Sequence, residues 1–413
     1  MVEGGQDGRD GQDGRVGPPP GTAMTTVRQA GGTYPVLIEP GILERLPELV
    51  GQYVPGRRTA LITDETVSEL YGRHLAGTNP AWGSRPRTCS DGSPAGWRER
   101  FTFPAGERSK TRETWAALTD QLLAAGYGAG SAIVALGGGV TGDLAGFVAA
   151  TLGRGVPVVQ VPTTLLAMVD ASIGGKTGVN TDTAKNLVGA FHPPAAVIAD
   201  PLVLGTLPDE HFRGGLAEAV KHALVADPAY LDWLTSNAAP ILGRDPVILT
   251  ELIERSVAIK ARIVSADERD DGERAFLNAG HTVAHAIEQV SNYSIPHGDA
   301  VALGLIAESH LSERLGLAHP GLSTRVASAL TRFGLPTTLP VPPVPSAPSA
   351  FLTAMHSDKK SRPNEIHFAL LSAVGHPARP ARPIRPVRPM RPCCTIAAPE
   401  AEIVAALGAI GIR

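Results

Sequence analysis

The sequence predicts an α/β first half built on a parallel sheet, followed by a mainly α-helical second half. Three observations carry that prediction. Short runs rich in Val, Ile and Leu alternate with amphipathic stretches up to residue 207, the pattern of buried parallel strands with crossover helices. From residue 208 those runs fade and long helical periods take over. The 413 residues are 43% hydrophobic with a net charge of −3, which allows two domains, supplies a real core and excludes global disorder.

In chain order, residues 1–23 repeat Gly, Asp, Gln and Arg before Pro18-Pro19-Pro20. They read as a disordered tail with Met24 as the start, and they lack a signal peptide's apolar core. Strands are expected at 60–63, 132–136, 156–161 and 195–199, with a helix at 115–125. Residues 79–98 are dense in turn formers and predict a long surface loop. Helices are expected at 209–225, 247–265, 277–290, 300–315 and 400–407, with a proline-rich connector at 340–349. Within 377–395, Arg-Pro recurs at a three-residue period. That period matches a polyproline helix and reads as a solvated low-complexity insertion, with a docking or polyanion-binding arm as the alternative.

Composition narrows the function. The near-neutral charge gives no reason to expect nucleic acid or a membrane surface as partner. No apolar run approaches the ~20 residues of a membrane span. Cys89, Cys393 and Cys394 form neither a disulfide framework nor a CxxC pair, so a soluble, cytoplasmic protein is expected.

Chemistry enters with LGGGVTGDLAGF, residues 136–147, which follows a strand and opens a helix. Gly137, Gly139 and Gly142 satisfy GxGxxG, a Rossmann-like cradle whose backbone N–H groups suit a pyrophosphate. The acidic residue usually found about 20 positions on is missing from VPVVQVPTT. Asp64, closing ALITD, is the better candidate for the adenosine half. A glycine turn with only a packing role is the alternative. A second group suits a metal: His281 and His285 four apart in LNAGHTVAH, His297 in IPHGDAV, and Glu218 in GGLAEAVKH with Lys221 three positions on. One Glu and two His suit catalytic zinc, although an HxxxH pair alone serves structure equally well. The absence of HExxH removes a zinc protease. Basic residues form a third group: Lys176 in SIGGKTGVN, Lys185-Asn186, Lys260, Arg274 and Asp358-Lys359-Lys360. Singly these are ordinary surface charges, but Lys176 in its tight turn can meet a phosphate or carboxylate. Together the groups imply a phosphorylated, acidic, hydroxylated small substrate.

The run GGGVTGDLAGFVAATLGRGVPVVQVPTTLLAMVDASIGGKTGVN resembles the dehydroquinate synthase family of sugar phosphate cyclases. So do KNLVGAFHPP, LPDEHFRGGLAEAVKH, DERDDGERAFLNAGHTVAHAIE and PHGDAVALG, in the expected order from about Thr33 to Phe368. The resemblance implies a dehydroquinate synthase-like fold, with an NAD-binding α/β domain at 24–207 and a helical metal- and substrate-binding domain at 208–413. It implies Glu218, His281 and His297 as ligands of zinc, with cobalt as the alternative ion. NAD contacts are implied at Glu107, Lys110, Gly138, Gly139, Val140, Thr141, Gly142, Asp143, Thr163, Thr164, Lys176, Lys185 and Thr206. Lys260 and Arg274 match the groups that hold the substrate carboxylate. Lys176, Asn186, Asn278, His285, Lys359 and Lys360 match the phosphate-handling set, and Asp170 and Lys221 complete the pocket. Arg154 matches an arginine lent to a neighbouring subunit, hence a homodimer.

The implied reaction converts 3-deoxy-D-arabino-heptulosonate 7-phosphate to 3-dehydroquinate and phosphate, a lyase step of the shikimate pathway with no net redox. Asp270 replaces a common second glutamate, Asp299 replaces the glutamate of HGE, and His222 follows Lys221 where an aromatic or small residue is usual. Two rivals share part of the pattern. An aminodehydroquinate synthase, or another cyclase of secondary metabolism, keeps nearly all of it. A metal-dependent polyol dehydrogenase does not need Lys260, Arg274 and Asn278 together.

Overall fold

A seven-stranded sheet with the order β1-β2-β9-β6-β5-β3-β4 sits between two helical layers. The computed structural model describes residues 22–29, 31–75, 100–181, 184–269, 272–340, 347–357, 365–379 and 394–412. The first half runs β1 (Ala23–Gln29), β2 (Gly32–Ile38), α1 (Leu46–Tyr53), β3 (Arg58–Asp64), α2 (Glu65–Leu75), β4 (Arg100–Phe103), α3 (Arg112–Ala124), β5 (Ser131–Gly137), α4 (Gly139–Thr151), β6 (Val158–Pro162), β7 (Lys176–Thr181), β8 (Ala184–Phe191) and β9 (Ala196–Ala199). Only β1 runs antiparallel in the sheet, against β2. β7 and β8 form a separate antiparallel hairpin.

The second half follows as α5 (Asp209–Ala226), α6 (Pro228–Ser236), α7 (Ala238–Leu242), α8 (Pro246–Ala266), α9 (His281–Val290), α10 (His297–Arg314), α11 (Leu322–Thr331), α12 (Pro348–Ser357), the short strands β10 (Ile366–Phe368), β11 (Leu371–Ala373), β12 (His376–Pro377) and β13 (Ile396–Ala398), and α13 (Glu400–Gly408).

The expected fold class holds, with four differences. β1 starts at Ala23, inside the stretch expected as tail, because the β1–β2 hairpin fills the sheet's edge. Helix α9 begins at His281 instead of residue 277, since a 3-10 turn, Glu273–Asn278, and left-handed Gly280 precede it. The helical half also carries two small strand pairs. Helix α12 begins at Pro348, inside the expected connector. The surface loop at 79–98, Cys89 and Cys393 lie outside the described residues, as do 380–393 of the Arg-Pro stretch.

Topology places the cleft. From β3 the chain steps outward to β4, then returns past β3 to β5 and continues to β6. The order therefore reverses beside β3 and β5, and ligands of open α/β sheets bind outside the strand ends at such a point. One sheet face packs on α3 and α4. The other shares a continuous core with α5, α8, α9 and α10. Two glycine contacts draw α10 in: Gly298 meets Gly214 of α5, and Gly304 meets Gly280 before α9, with backbone occupying the space a Cβ would need. This approach brings the helices carrying Glu218, His281 and His297 together. Among the described residues no helix is long and apolar enough to cross a membrane.

Candidate active site

At the reversal point β5 ends in Gly137, and Gly138 caps α4 without a side-chain hydrogen bond. The first N–H groups of α4 thus remain for an anion, aided by the helix dipole. Side chains leave room for little but glycine here: a Cβ on Gly138 would press on Thr164, and one on Gly142 on Gln160. Asp64, at the end of neighbouring β3, accepts from Val67 N at 2.9 Å and from the Thr141 hydroxyl at 3.2 Å. It therefore joins the glycine helix to α2. Lys110 pairs with Asp143, whose carboxyl is pushed up by burial against the pull of that lysine. Glu107 accepts from Asn180 of β7 at 2.8 Å, and Thr206 meets the Tyr71 hydroxyl at 2.5 Å. Thr163 N bonds the Gly137 carbonyl, and the Thr164 hydroxyl accepts from Ala167 N. The start of α4 at Gly138, with no side-chain cap, suits a dinucleotide's pyrophosphate.

Helix α5 presents Glu218, Lys221 and His222 at i, i+3 and i+4, one helical face. Glu218 Oε1 lies 3.5 Å from His281 Nε2 and 3.4 Å from His297 Nε2. The three donor atoms fall within 4.8 Å of one another. An ion bound tetrahedrally at about 2.1 Å holds its ligands about 3.4 Å apart. Both Glu218 oxygens are buried, and Lys221 pairs with Oε2. Burial, then Lys221, push His281 down to about 4, which leaves a neutral imidazole with a free lone pair. His297 goes the other way. Burial opposes its charge, but Glu218 and Glu288 lift it to about 10. One carboxylate and two imidazole nitrogens at this spacing fit a divalent metal.

Asp170 is set on a π turn, Ala167–Ala171, a local distortion frequent at functional sites. Lys260 Nζ donates to its Oδ1 at 2.7 Å, His222 Nε2 lies at 3.3 Å and Lys221 Nζ at 3.9 Å. Burial works against the carboxylate, yet the two lysines and His222 hold it well below the usual range. Asp170, Glu218 and His222 form a second close-set group, but the Lys221 ammonium already stands between its two carboxylates. Arg274 is buried and donates to the Gly174 carbonyl at 3.3 Å. Left-handed Gly174 admits it where any Cβ would collide. Asn278 bonds the Ala275 carbonyl, and the His285 ring meets His281 edge-on at 5.5 Å between centroids.

Lys176 is exposed at the start of β7, and Asn186 is exposed with φ 53°. Lys185 reaches Glu288 at 3.1 Å and stacks over Tyr293. Arg154 stands apart, exposed in a left-handed turn between Gly153 and Gly155. Asp270, Lys359 and Lys360 lie outside the described residues. Glu288 and Glu308 escaped the sequence reading. Glu288 follows His281 at i+7 and His285 at i+3, on the histidine face of α9, and that spacing was its one signal.

Fold and site define a class: enzymes that pair a dinucleotide-type glycine turn with a close-set Glu-His-His group whose glutamate is buried. Residues 100–214 match the 3-dehydroquinate synthase N-terminal family and residues 215–361 its C-terminal counterpart. The chain belongs to the 3-dehydroquinate synthase family. It is 42% identical to the 3-dehydroquinate synthase of Halorhodospira halophila over 83% of this chain and 91% of that one. Identity to the Methylococcus capsulatus enzyme is 44%, over 83% and 90%. Among solved structures, 2-epi-5-epi-valiolone synthase from Streptomyces hygroscopicus subsp. jinggangensis, with NAD+ and Zn2+ bound, superposes with a TM-score of 0.74 at 28% identity, covering 91% of this chain and 96% of that one. A 2-deoxy-scyllo-inosose synthase shares the fold at 24% identity and TM-score 0.79, over 92% and 98%.

Proposed function

We propose that the chain is a 3-dehydroquinate synthase, converting 3-deoxy-D-arabino-heptulosonate 7-phosphate to 3-dehydroquinate and phosphate. The observation that carries this reading is the meeting of Glu218, His281 and His297 beside the cationic surround of Asp170. When bound, NAD supplies a hydride acceptor restored in each turnover, and the metal supplies Lewis acidity. The valiolone synthase, with its NAD+ and Zn2+, supports the same pair here.

The chain's own residues then bind and orient. Lys260 and Arg274 neutralise the substrate carboxylate, and Asp170 accepts from its hydroxyls. Lys176, Asn278 and His285 hold the phosphate so that its oxygen can take the neighbouring C–H proton. Lys221 fixes Glu218 and Asp170 in register. A cytoplasmic homodimer, divided at residue 207 into cofactor and metal domains, completes the reading. Arg154 and the exposed Leu187 and Phe191 of β8 support the dimer.

The test is incubation with the heptulosonate phosphate, zinc and substoichiometric NAD. Phosphate should be released in many-fold excess over NAD, without NADH accumulating. One NADH per substrate consumed would instead make the chain a polyol dehydrogenase.

A further inference from the structure

The two imidazoles that meet Glu218 are oriented in the same way by different partners. His281 turns Nδ1 to the Ala279 carbonyl at 3.2 Å and Nε2 toward Glu218. His297 turns Nδ1 to Glu288 Oε1 at 3.4 Å and Nε2 toward Glu218. Glu288 is buried on α9, and Lys185 Nζ of the β7–β8 hairpin lies 3.1 Å from the same Oε1. A proton held at Nδ1 leaves the lone pair at Nε2, where an ion is bound. A carboxylate partner also makes the ring a stronger donor than a backbone carbonyl does. Lys185 offsets the charge of Glu288 from the β7–β8 hairpin.

We propose that Glu288 is the positioning residue of His297, fixing its tautomer and ring plane for metal binding, and that Lys185 ties this contact to the hairpin. The inference rests on the metal reading of Glu218, His281 and His297. It adds a residue that touches neither metal nor substrate.

The test measures zinc affinity of the full chain by competition with a chromophoric chelator. Variants are Glu288→Ala, Glu288→Gln, Glu288→Asn and His281→Ala. The visible spectrum of the Co2+-loaded protein gives a second readout. Glu288→Ala should weaken zinc binding about 10–100-fold and shift the cobalt bands. Glu288→Gln keeps an acceptor at the same reach and should recover much of that loss. If the alanine variant does not fold, Glu288→Asn, one methylene too short, replaces it. Wild-type affinity and an unshifted cobalt spectrum in Glu288→Ala or Glu288→Asn would overturn the proposal. So would equal losses in Glu288→Gln and Glu288→Ala with a lower melting point of the metal-free protein, which marks a structural role. His281→Ala separates the two readings. If it keeps zinc as tightly as wild type, the metal site itself is misassigned. If it loses zinc while Glu288→Ala does not, only the role of Glu288 fails.

Discussion

Lys260 is the residue through which pH should act on substrate binding. Burial pushes its ammonium down to about 8, against the pull of Asp170. It is therefore charged at pH 7 and neutral above its shifted value. If Lys260 grips the carboxylate, kcat/KM should fall by up to about tenfold per pH unit above 8. Lys260→Arg, which stays charged, should move that limb upward. A wild-type profile level to about pH 9.5 would remove Lys260 from the carboxylate site. The effect on stability has the opposite sign. The unfolded lysine keeps its ordinary pKa, so between pH 8 and that value the unfolded chain binds more protons, and the group favours folding increasingly as pH rises. Glu218, His281 and His297 were legible from residue type and motif. Glu288 and Glu308 were not, because a carboxylate in a helical run looks like part of a solvated face until another helix covers it.

Two helices and one side chain fix where His281 points. Glu308 of α10 is buried and accepts from Gly280 N at 2.7 Å and Val283 N at 3.2 Å. It thus caps the start of α9 from outside that helix. Removing it as Glu308→Ala leaves two buried donors unmet, at about 1–3 kcal/mol each. The melting temperature should drop by several degrees, with Glu308→Gln intermediate because its amide has one acceptor. An unchanged melt would show that water replaces the cap. At this scale β3, β5, β6 and β9 were readable because strands buried on both faces are continuous apolar runs. The β7–β8 hairpin was not: KTGVNT and AKNLVGAF carry Gly, Thr and Asn, and Leu187 and Phe191 face outward. The edge strand β1, AMTTVRQ, buries only Val27. Strand β4 has four residues, too few to establish a period.

Across the whole molecule, the turn 153–155 presents an exposed cation, Arg154. Arg154 holds φ 68°, costly for a side chain with a Cβ. The turn adjoins the end of β8, where His192 bonds the Val156 carbonyl at 2.8 Å. If Arg154 completes a neighbour's site, mixing inactive Arg154→Ala and His281→Ala proteins should restore activity. With free exchange about half the dimers are mixed, each with one good site, hence roughly a quarter of wild-type activity. Activity remaining at the level of the single variants, with exchange verified by differential tags, would confine Arg154 to its own chain. The position of β9 has a consequence in time. Among the described residues strand β2 bonds β1 and β9 alone, and Val36 pairs with Val197. A ribosome adding about 5–20 residues per second needs on the order of ten seconds between those two valines. For that interval the finished β1–β2 hairpin has no seat in the sheet, so its apolar residues wait exposed on the nascent chain.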